Sequence, residues 1–167
     1  EGEGLSAKHL LKNSKKLIIL KAFTKLYGMA GVRLGYCLCS DTELLARMRA
    51  AGQPWAVSSL AQAAGIAALD ETEYVAKVRA LIEAQRPVLA DGLRALGLRV
   101  IEGRANYLLF RAPEALGEAL RRKGAVLRSC GNYPGLDASW YRTAVRTENE
   151  NRQLLALLAE TLPEVAQ

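Results

Sequence analysis

The sequence has few of the residues on which disulfide-rich and metal-binding proteins depend. It contains three cysteines and one histidine in 167 residues. Cys37 and Cys39 alternate along a predicted strand, so their side chains face the same way and are expected to pack as small apolar groups. With the distant Cys130 and with His9 they give only a weak metal signal, and we expect no metal site. The absence of a disulfide framework favours a reducing, cytoplasmic setting.

Long apolar runs and aromatic side chains are also scarce. No apolar run reaches the roughly 20 residues that a membrane-spanning helix needs, and the acidic start at residues 1–4 is unlike a signal peptide. The net charge of +6 suggests nucleic-acid binding, but aromatics make up only 6% of the residues and no basic stripe with interleaved aromatics occurs. The sequence therefore favours neither a membrane nor a nucleic-acid partner.

The most informative segment is residues 22–36, Ala-Phe-Thr-Lys-Leu-Tyr-Gly-Met-Ala-Gly-Val-Arg-Leu-Gly-Tyr. The run at 17–20 is apolar without alternation, which predicts a fully buried strand. Lys25 follows this strand at the edge where open α/β sheets bind ligands, and apolar surroundings would favour the neutral amine that attacks an aldehyde. Arg33 comes eight residues later and can bind phosphate bidentately. The segment therefore predicts a site for an anionic aldehyde.

The rest of the chain alternates between predicted helices and strands. Helices are predicted over 6–12, 40–50, 58–69, 71–96, 113–123 and 147–162, and strands over 17–23, 32–39, 98–102, 106–111, 125–129 and 140–146. Ser6 is a candidate N-cap, and residues 40–43 and 147–150 have the spacing of capping boxes. Pro87 is expected to kink the longest helix.

This order predicts regions of different organisation. Residues 1–70 are expected to be the C-terminal part of a larger α/β domain with a mixed sheet, residues 71–96 a kinked linking helix, and residues 97–167 a small α+β domain. Two strands do not form a stable sheet by themselves. We therefore expect the first region to draw further strands from elsewhere.

The segment at residues 22–36 resembles the cofactor-lysine motif of pyridoxal-phosphate (PLP) enzymes of the aminotransferase class I/II family. Thr-Lys, Met-Ala-Gly, the arginine at plus eight and the glycine at plus ten carry the resemblance. It covers nearly the whole chain, which is similar to the C-terminal half of such an enzyme. It implies the fold-type I architecture, PLP as cofactor and a homodimer, with several cofactor ligands expected upstream of Glu1.

The resemblance also implies roles for individual residues. Lys25 corresponds to the lysine that forms the Schiff base with the cofactor and later shuttles protons. Thr24 and Arg33 correspond to phosphate ligands. Arg142 resembles the arginine that binds the substrate carboxylate, and its planar fork of donors suits that group. Arg128 matches a second substrate-side arginine in the branch that acts on phosphorylated amino compounds.

The sequence leaves the reaction open. Ala22 stands where many relatives carry a phosphate-binding serine, and Arg146 replaces a glycine common in histidinol-phosphate aminotransferases. The loop at 132–137 is more similar to threonine-phosphate decarboxylases. Trp55 and the pair at 106–107 could border the site or pack in the core. We expect an aminotransferase for a small, phosphorylated amino acid or amine; the alternatives are a threonine-phosphate decarboxylase-like lyase and a catalytically incomplete fragment.

Overall fold

The computed structural model describes residues 6–165, so the acidic start at 1–4 lies outside the described residues. The chain divides into two compact units, one ending at Ala76 and one beginning at Lys77. The helices are α1 (Thr42–Ala51), α2 (Ser59–Asp70), α3 (Thr72–Ala95), α4 (Leu116–Arg122) and α5 (Glu148–Val165), and the strands are β1 (Ile19–Ala22), β2 (Gly35–Leu38), β3 (Arg99–Ile101), β4 (Tyr107–Arg111), β5 (Arg128–Ser129) and β6 (Trp140–Ala144). This mixed content agrees with the predicted α/β class. Within residues 6–165, no helix combines the length and the apolar character that crossing a bilayer would require.

Strands β1 and β2 form the antiparallel hairpin that the sequence predicted around the lysine motif. Ala22 lies opposite Gly35 at the end of the pairing. A Cβ atom at Gly35 would lie 2.9 Å from the backbone oxygen of Lys21, so only glycine allows this approach of the strands. The glycine at plus ten of the motif is therefore a packing requirement of the hairpin.

Helix α2 packs against the end of this hairpin through small residues. Ala61 and Ala68 are buried on it, and a Cβ atom at Gly65 would lie 2.4 Å from Cδ2 of Leu34. Phe23, the residue after β1, is 4% exposed. The small side chains of α2 therefore let the helix cover the two residues that flank the lysine loop.

The prediction of a fully buried strand at 17–20 is wrong for the described residues. Leu20 is 77% exposed, and β1 has a burial pattern of one half-buried residue followed by three exposed ones. The sheet of this unit contains only β1 and β2 among residues 6–165, and Gly65 of α2 lies against Leu34 and Phe23 at its end. An uninterrupted apolar run indicates a strand that is suited to being covered on both faces. The described part of this unit does not cover β1 in that way.

The helix starts agree with the sequence in two places and differ in one. Ser6 caps the 3₁₀ helix Ala7–Asn13 as predicted. At α5 the carboxylate of Glu150 accepts hydrogen bonds from the backbone N–H and the hydroxyl of Thr147, at 3.2 and 2.6 Å. At α1 the cap is Asp41, whose Oδ1 accepts from the backbone N–H of Leu44 at 2.9 Å. The predicted cap at Ser40 is wrong, because the Ser40 hydroxyl donates to the Ser14 carbonyl.

The second unit is a four-stranded antiparallel sheet in the order β3-β4-β6-β5. Alternate residues of β4 and β6 are buried and join helices α3, α4 and α5 in one hydrophobic cluster. Its fully buried members are Leu89, Leu93, Phe110, Leu116, Leu120 and Leu158. Helix α5 packs so closely on α3 that a Cβ atom at Gly92 would lie 2.4 Å from Cδ1 of Leu155. The opposite, open face of the sheet carries Tyr107 and Arg111 of β4 and Arg142 of β6.

The predicted strand over 125–129 is confirmed only at Arg128–Ser129. Gly124 has φ +85° and ends helix α4. The backbone N–H of Ala125 still bonds to the Leu120 carbonyl at 2.9 Å, which is the closing bond of a helix C-terminus. The first residues of the predicted strand therefore complete the helix and cannot join the sheet.

Tyr141 fixes strand β6 to the beginning of helix α4. Helix α4 has Ala115 at its N-cap and no side-chain cap of its own. The buried Tyr141 hydroxyl accepts from the backbone N–H of Gly117 at 3.2 Å and donates to the Glu114 carbonyl at 2.6 Å. This tyrosine supplies the missing cap and so anchors the strand whose next residue, Arg142, points to the opposite face.

Asn151 fixes the other end of β6. Its Oδ1 accepts from the backbone N–H of Arg146 at 3.0 Å, and its Nδ2 donates to the Arg146 carbonyl at 2.9 Å and to Oε1 of Gln85 at 3.3 Å. The side chain is 2% exposed. Strand β6 is thus anchored both at Tyr141 and just beyond its end, which holds the position of Arg142.

Candidate active site

The lysine of the motif lies in a short loop that backbone hydrogen bonds close at its base. Phe23 donates from its N–H to the Leu34 carbonyl at 3.2 Å and accepts from the Met29 N–H at 3.4 Å. Inside this loop the Lys25 carbonyl accepts from the Gly28 N–H at 3.2 Å. The backbone of Lys25 is therefore positioned, while its side chain is exposed to solvent.

Exposure of Lys25 differs from the apolar surroundings expected from the sequence. The aromatic rings of Phe23 and Tyr27 lie 5.3 Å apart, and Tyr27 stacks on Tyr74 at 6.4 Å. These rings pack with one another and do not bury the amine. In residues 6–165 no carboxylate forms an ion pair with Lys25. The amine is therefore open to a ligand.

Arg33 occupies a backbone conformation that is unusual for any residue other than glycine. Its φ and ψ angles are 56° and 42°, in the left-handed region, which costs an L-residue roughly 1–2 kcal/mol. Its Nη1 donates to the Ala30 carbonyl at a long 3.5 Å. The half-buried Thr24 lies at the other end of the same loop. Because the backbone of Arg33 is strained and its guanidinium is exposed, a role of the side chain in binding explains why an arginine occupies this position.

We expect the substitution Arg33→Gly to separate stability from ligand binding. Glycine adopts the left-handed conformation without strain, so the free energy of unfolding should stay within roughly 1 kcal/mol of its original value or rise. Binding of a phosphate-bearing ligand should fall, because the guanidinium is lost.

The control for this experiment is Arg33→Lys, which keeps a charge and loses the planar fork. Denaturant unfolding and phosphate-ligand titration of both variants would give the comparison. Clear destabilisation of the glycine variant with unchanged ligand binding would contradict a ligand role for Arg33.

The two substrate-side arginines of the sequence analysis are direct neighbours in the sheet of the second unit. Arg128 on β5 lies opposite Arg142 on β6, and Arg142 lies opposite Leu109 on β4. Directly opposite residues share one face of a sheet, with Cβ atoms roughly 5 Å apart. The structure therefore brings these two predicted residues together on the open face.

Aromatic rings support both guanidinium groups. The Cζ atom of Arg142 lies 5.0 Å from the centroid of the Tyr107 ring, and that of Arg128 lies 5.8 Å from the Tyr133 ring. Nη2 of Arg128 also donates to Oδ1 of Asn132 at 3.1 Å. Tyr107 is one of the residues predicted either to border the site or to pack in the core. The contacts of Asn132 and Tyr133 with Arg128 were not predicted, because only their spacing of four and five residues from Arg128 could have indicated them.

Within residues 6–165, no carboxylate forms an ion pair with Arg128 or Arg142. Like charges that face each other across two strands destabilise a sheet by roughly 0.2–1 kcal/mol. A ligand that brings negative charge between them would remove this cost and use their free donors. The chemistry of the pair therefore suits an anionic ligand.

A third arginine on this face is already neutralised. Nε of Arg111 donates to the Ser139 hydroxyl at 2.8 Å, and its Nη2 lies 3.8 Å from Oδ2 of Asp137. Hydrogen bonds from the Ser139 hydroxyl and backbone N–H, with the Arg111 charge nearby, hold the pKa of the Asp137 carboxyl below its ordinary value. Asp137 therefore stays ionised and compensates Arg111, in contrast to the pair of Arg128 and Arg142.

The sequence allows two positions for Trp55, one bordering the site and one packed in the core. It is 96% exposed and has a positive φ of 60°, so core packing within residues 6–165 does not explain it. Tyr107 is 43% exposed and lies on the open face beside Arg142. For both residues the core alternative is wrong for the described part of the chain.

The sequence matches the model of the family Aminotransferase class I and II over residues 2–158. This chain belongs to that family. It is 38% identical over 160 residues to a threonine-phosphate decarboxylase of Salmonella typhimurium, covering 93% of this chain and 44% of that protein. It is also 38% identical over 158 residues to a histidinol-phosphate aminotransferase of Symbiobacterium thermophilum, covering 93% of this chain and 43% of that protein. The chain thus spans less than half the length of these curated relatives.

Solved structures of relatives agree with the fold. The histidinol-phosphate aminotransferase of Clostridium acetobutylicum superposes with a TM-score of 0.92 at 30% identity, over 98% of this chain and 51% of that chain. The histidinol-phosphate aminotransferase of Sinorhizobium meliloti, solved in complex with pyridoxal-5'-phosphate, gives 0.71 at 25% identity, over 90% of this chain and 41% of that chain. The predicted family and the α/β fold class are confirmed.

Proposed function

We propose that this chain carries the lysine and the substrate-binding arginines of a PLP-dependent aminotransferase, which acts on a small amino substrate bearing a carboxylate or a phosphate, or both. The observation that carries the proposal is the closed loop from Phe23 to Leu34, which presents the exposed amine of Lys25 and the guanidinium of Arg33. By resemblance to the family we also propose a cytoplasmic homodimer.

The residues of this loop fit PLP chemically. An aldehyde needs a primary amine, and the exposed Lys25 supplies one in a positioned backbone. A phosphate needs strong donors, and Arg33 and the Thr24 hydroxyl would supply them. When bound, PLP supplies an electron sink for the bond that breaks at the substrate Cα.

Three side chains would carry out the protein's part in the reaction. The Nζ atom of Lys25 would hold the aldehyde and, once released by an incoming amino group, would take and return a proton. Arg33 would hold the cofactor phosphate throughout. Arg142 would bind the substrate carboxylate, and its contact with the Tyr107 ring limits where the guanidinium can lie. Orientation of the substrate decides which bond at Cα is broken.

A second candidate is a lyase similar to threonine-phosphate decarboxylase. The Salmonella relative with this name is as identical to the chain as the Symbiobacterium aminotransferase. Arg128 also faces Arg142 on the next strand, so two anionic groups of one substrate could be bound side by side. Aminotransferase and lyase would use the same lysine and the same arginines, so the reaction product must distinguish them.

The test uses the whole protein that carries this chain, loaded with PLP. Histidinol phosphate with 2-oxoglutarate and O-phosphothreonine without a keto acid are supplied in parallel. We expect amino transfer in the first reaction and no carbon dioxide in the second. Carbon dioxide release without a keto acid would establish the lyase and reject the aminotransferase; no turnover of either substrate would reject both.

A further inference from the structure

Two neutral side chains of one loop hold the guanidinium of Arg128. Its Nη2 donates to Oδ1 of Asn132 at 3.1 Å, and its Cζ lies 5.8 Å from the centroid of the Tyr133 ring. Strand β5 is only two residues long, so the strand itself gives the long arginine side chain little support. The contacts from the loop therefore decide where the guanidinium points.

Backbone hydrogen bonds make this loop a stable support. The Cys130 N–H donates to the Trp140 carbonyl at 2.8 Å, which ties the loop to β6. The Tyr133 N–H then donates to the Cys130 carbonyl at 2.9 Å, and the Leu136 N–H to the Tyr133 carbonyl at 3.0 Å. Two consecutive turns thus place Asn132 and Tyr133 against Arg128 without any contribution from a ligand.

The neutrality of the two supports is the informative feature. A carboxylate at position 132 would hold Arg128 at least as firmly, as Asp137 does for Arg111 on the same face. It would also cancel the positive charge. An amide and an aromatic ring orient the guanidinium while leaving its charge and its remaining N–H donors available. This arrangement suits a residue that must bind a second anion.

We propose that Asn132 and Tyr133 are positioning residues that orient Arg128 toward the phosphate of the substrate, on the strand next to Arg142. The proposal rests on the proposed function, because it assigns the substrate to this arginine pair. Arg128 and Arg142 are directly opposite residues, whose Cβ atoms lie roughly 5 Å apart, so the two side chains extend from neighbouring positions on one face of the sheet.

The experiment compares four variants of the whole protein, loaded with PLP. Asn132→Leu removes the acceptor, and Asn132→Asp keeps the shape and the acceptor while adding a negative charge. Tyr133→Leu removes the ring, and Tyr133→Phe retains it. Each is assayed with a phosphorylated substrate and its unphosphorylated counterpart: histidinol phosphate and histidinol, or O-phosphothreonine and threonine if the protein is a lyase.

We expect Asn132→Leu and Tyr133→Leu to raise KM for the phosphorylated substrate roughly tenfold, the size of one lost charge-assisted hydrogen bond, and to change kcat much less. Asn132→Asp should raise that KM the most, because the new carboxylate pairs with Arg128. Tyr133→Phe should behave like the original protein. The preference for the phosphorylated over the unphosphorylated substrate should fall in the same order. A purely structural role for Asn132 would tolerate the isosteric aspartate.

Matched controls are Asn149→Leu and Asn149→Asp. Asn149 is exposed in the first turn of α5, so these changes repeat the chemistry away from Arg128. Both controls should leave KM and the substrate preference unchanged. If Asn132→Asp leaves the KM of the phosphorylated substrate unchanged, or if Asn132→Leu affects both substrates equally, the inference is overturned.

A titration with inorganic phosphate, followed by calorimetry, separates this inference from the proposed function. Weaker phosphate binding in Asn132→Leu and Asn132→Asp than in the Asn149 controls supports the orienting role even if no substrate is turned over. In that case the proposed function alone has failed. Phosphate binding that is absent in the original protein, or unchanged in the Asn132 variants, overturns the inference.

Discussion

Replacing Lys25 with alanine is expected to abolish covalent attachment of PLP and to lower kcat by roughly 10²–10⁴-fold, the range for loss of a general acid–base group. The amine is the reacting atom, and its loop is closed by backbone hydrogen bonds that do not involve the side chain. Removal should therefore leave the fold unchanged. Lys25→Arg is expected to fail in the same way, because a guanidinium stays protonated and forms no covalent bond with the aldehyde.

Lys21→Ala is the matched control for this prediction. Lys21 lies four residues earlier on strand β1 and is also exposed. Absorbance of the lysine-bound cofactor, followed by borohydride reduction and mass spectrometry of the peptide containing Lys25, measures attachment independently of turnover. A mass shift on another lysine, or normal absorbance in the Lys25→Ala protein, would contradict the assignment.

Replacing Arg142 with leucine is expected to lower kcat/KM by roughly 10²–10⁴-fold. This is the effect of losing a bidentate pair whose two hydrogen bonds to a charged group contribute about 1.5–3 kcal/mol each. Stability should change little in comparison. The stacking on Tyr107 is lost, which costs roughly 0.5–1 kcal/mol, while relief of the repulsion from Arg128 offsets much of that loss.

Two further variants define the result for Arg142. Arg142→Lys keeps the charge and loses the fork, so it should recover only part of the activity. Arg99→Leu removes a different arginine of the second unit, which lies against Trp140 with its Cζ 5.6 Å from the ring centroid, and should leave kcat/KM unchanged. Unfolding in denaturant checks stability in each case. An equal loss of activity from Arg99→Leu and Arg142→Leu would mean that general positive charge, and not a specific carboxylate contact, explains the effect.

Local patterns in the sequence predicted most of the elements and their order. The helical spacing of apolar residues gave α3 and α5, and the glycines and capping residues gave most of the ends. The lysine motif was identified because a lysine, a small turn and an arginine occur at fixed spacing after a β-type run. Each of these signals comes from residues that are close together along the chain, so it can be identified from residue type and spacing alone.

The features that the sequence did not reveal depend on neighbours that are distant along the chain or on backbone strain. The hydroxyl of Tyr141 caps a helix that begins about 25 residues earlier. The residue type at the N-cap, Ala115, does not predict this contact. The left-handed conformation of Arg33 runs against the preference of its residue type. The exposure of Leu20 could not be inferred either, because an apolar run does not specify whether covering elements are present.

The alternation of side chains along β6 has a consequence for how this protein can change in evolution. Tyr141 faces inward and Arg142 outward, and both are fixed by contacts at the two ends of the strand. Inserting or deleting a single residue within Trp140–Ala144 would turn the arginine into the core and the tyrosine outward, so anchoring and anion binding would be lost together. Length variation among descendants should therefore be absent from Trp140–Ala144.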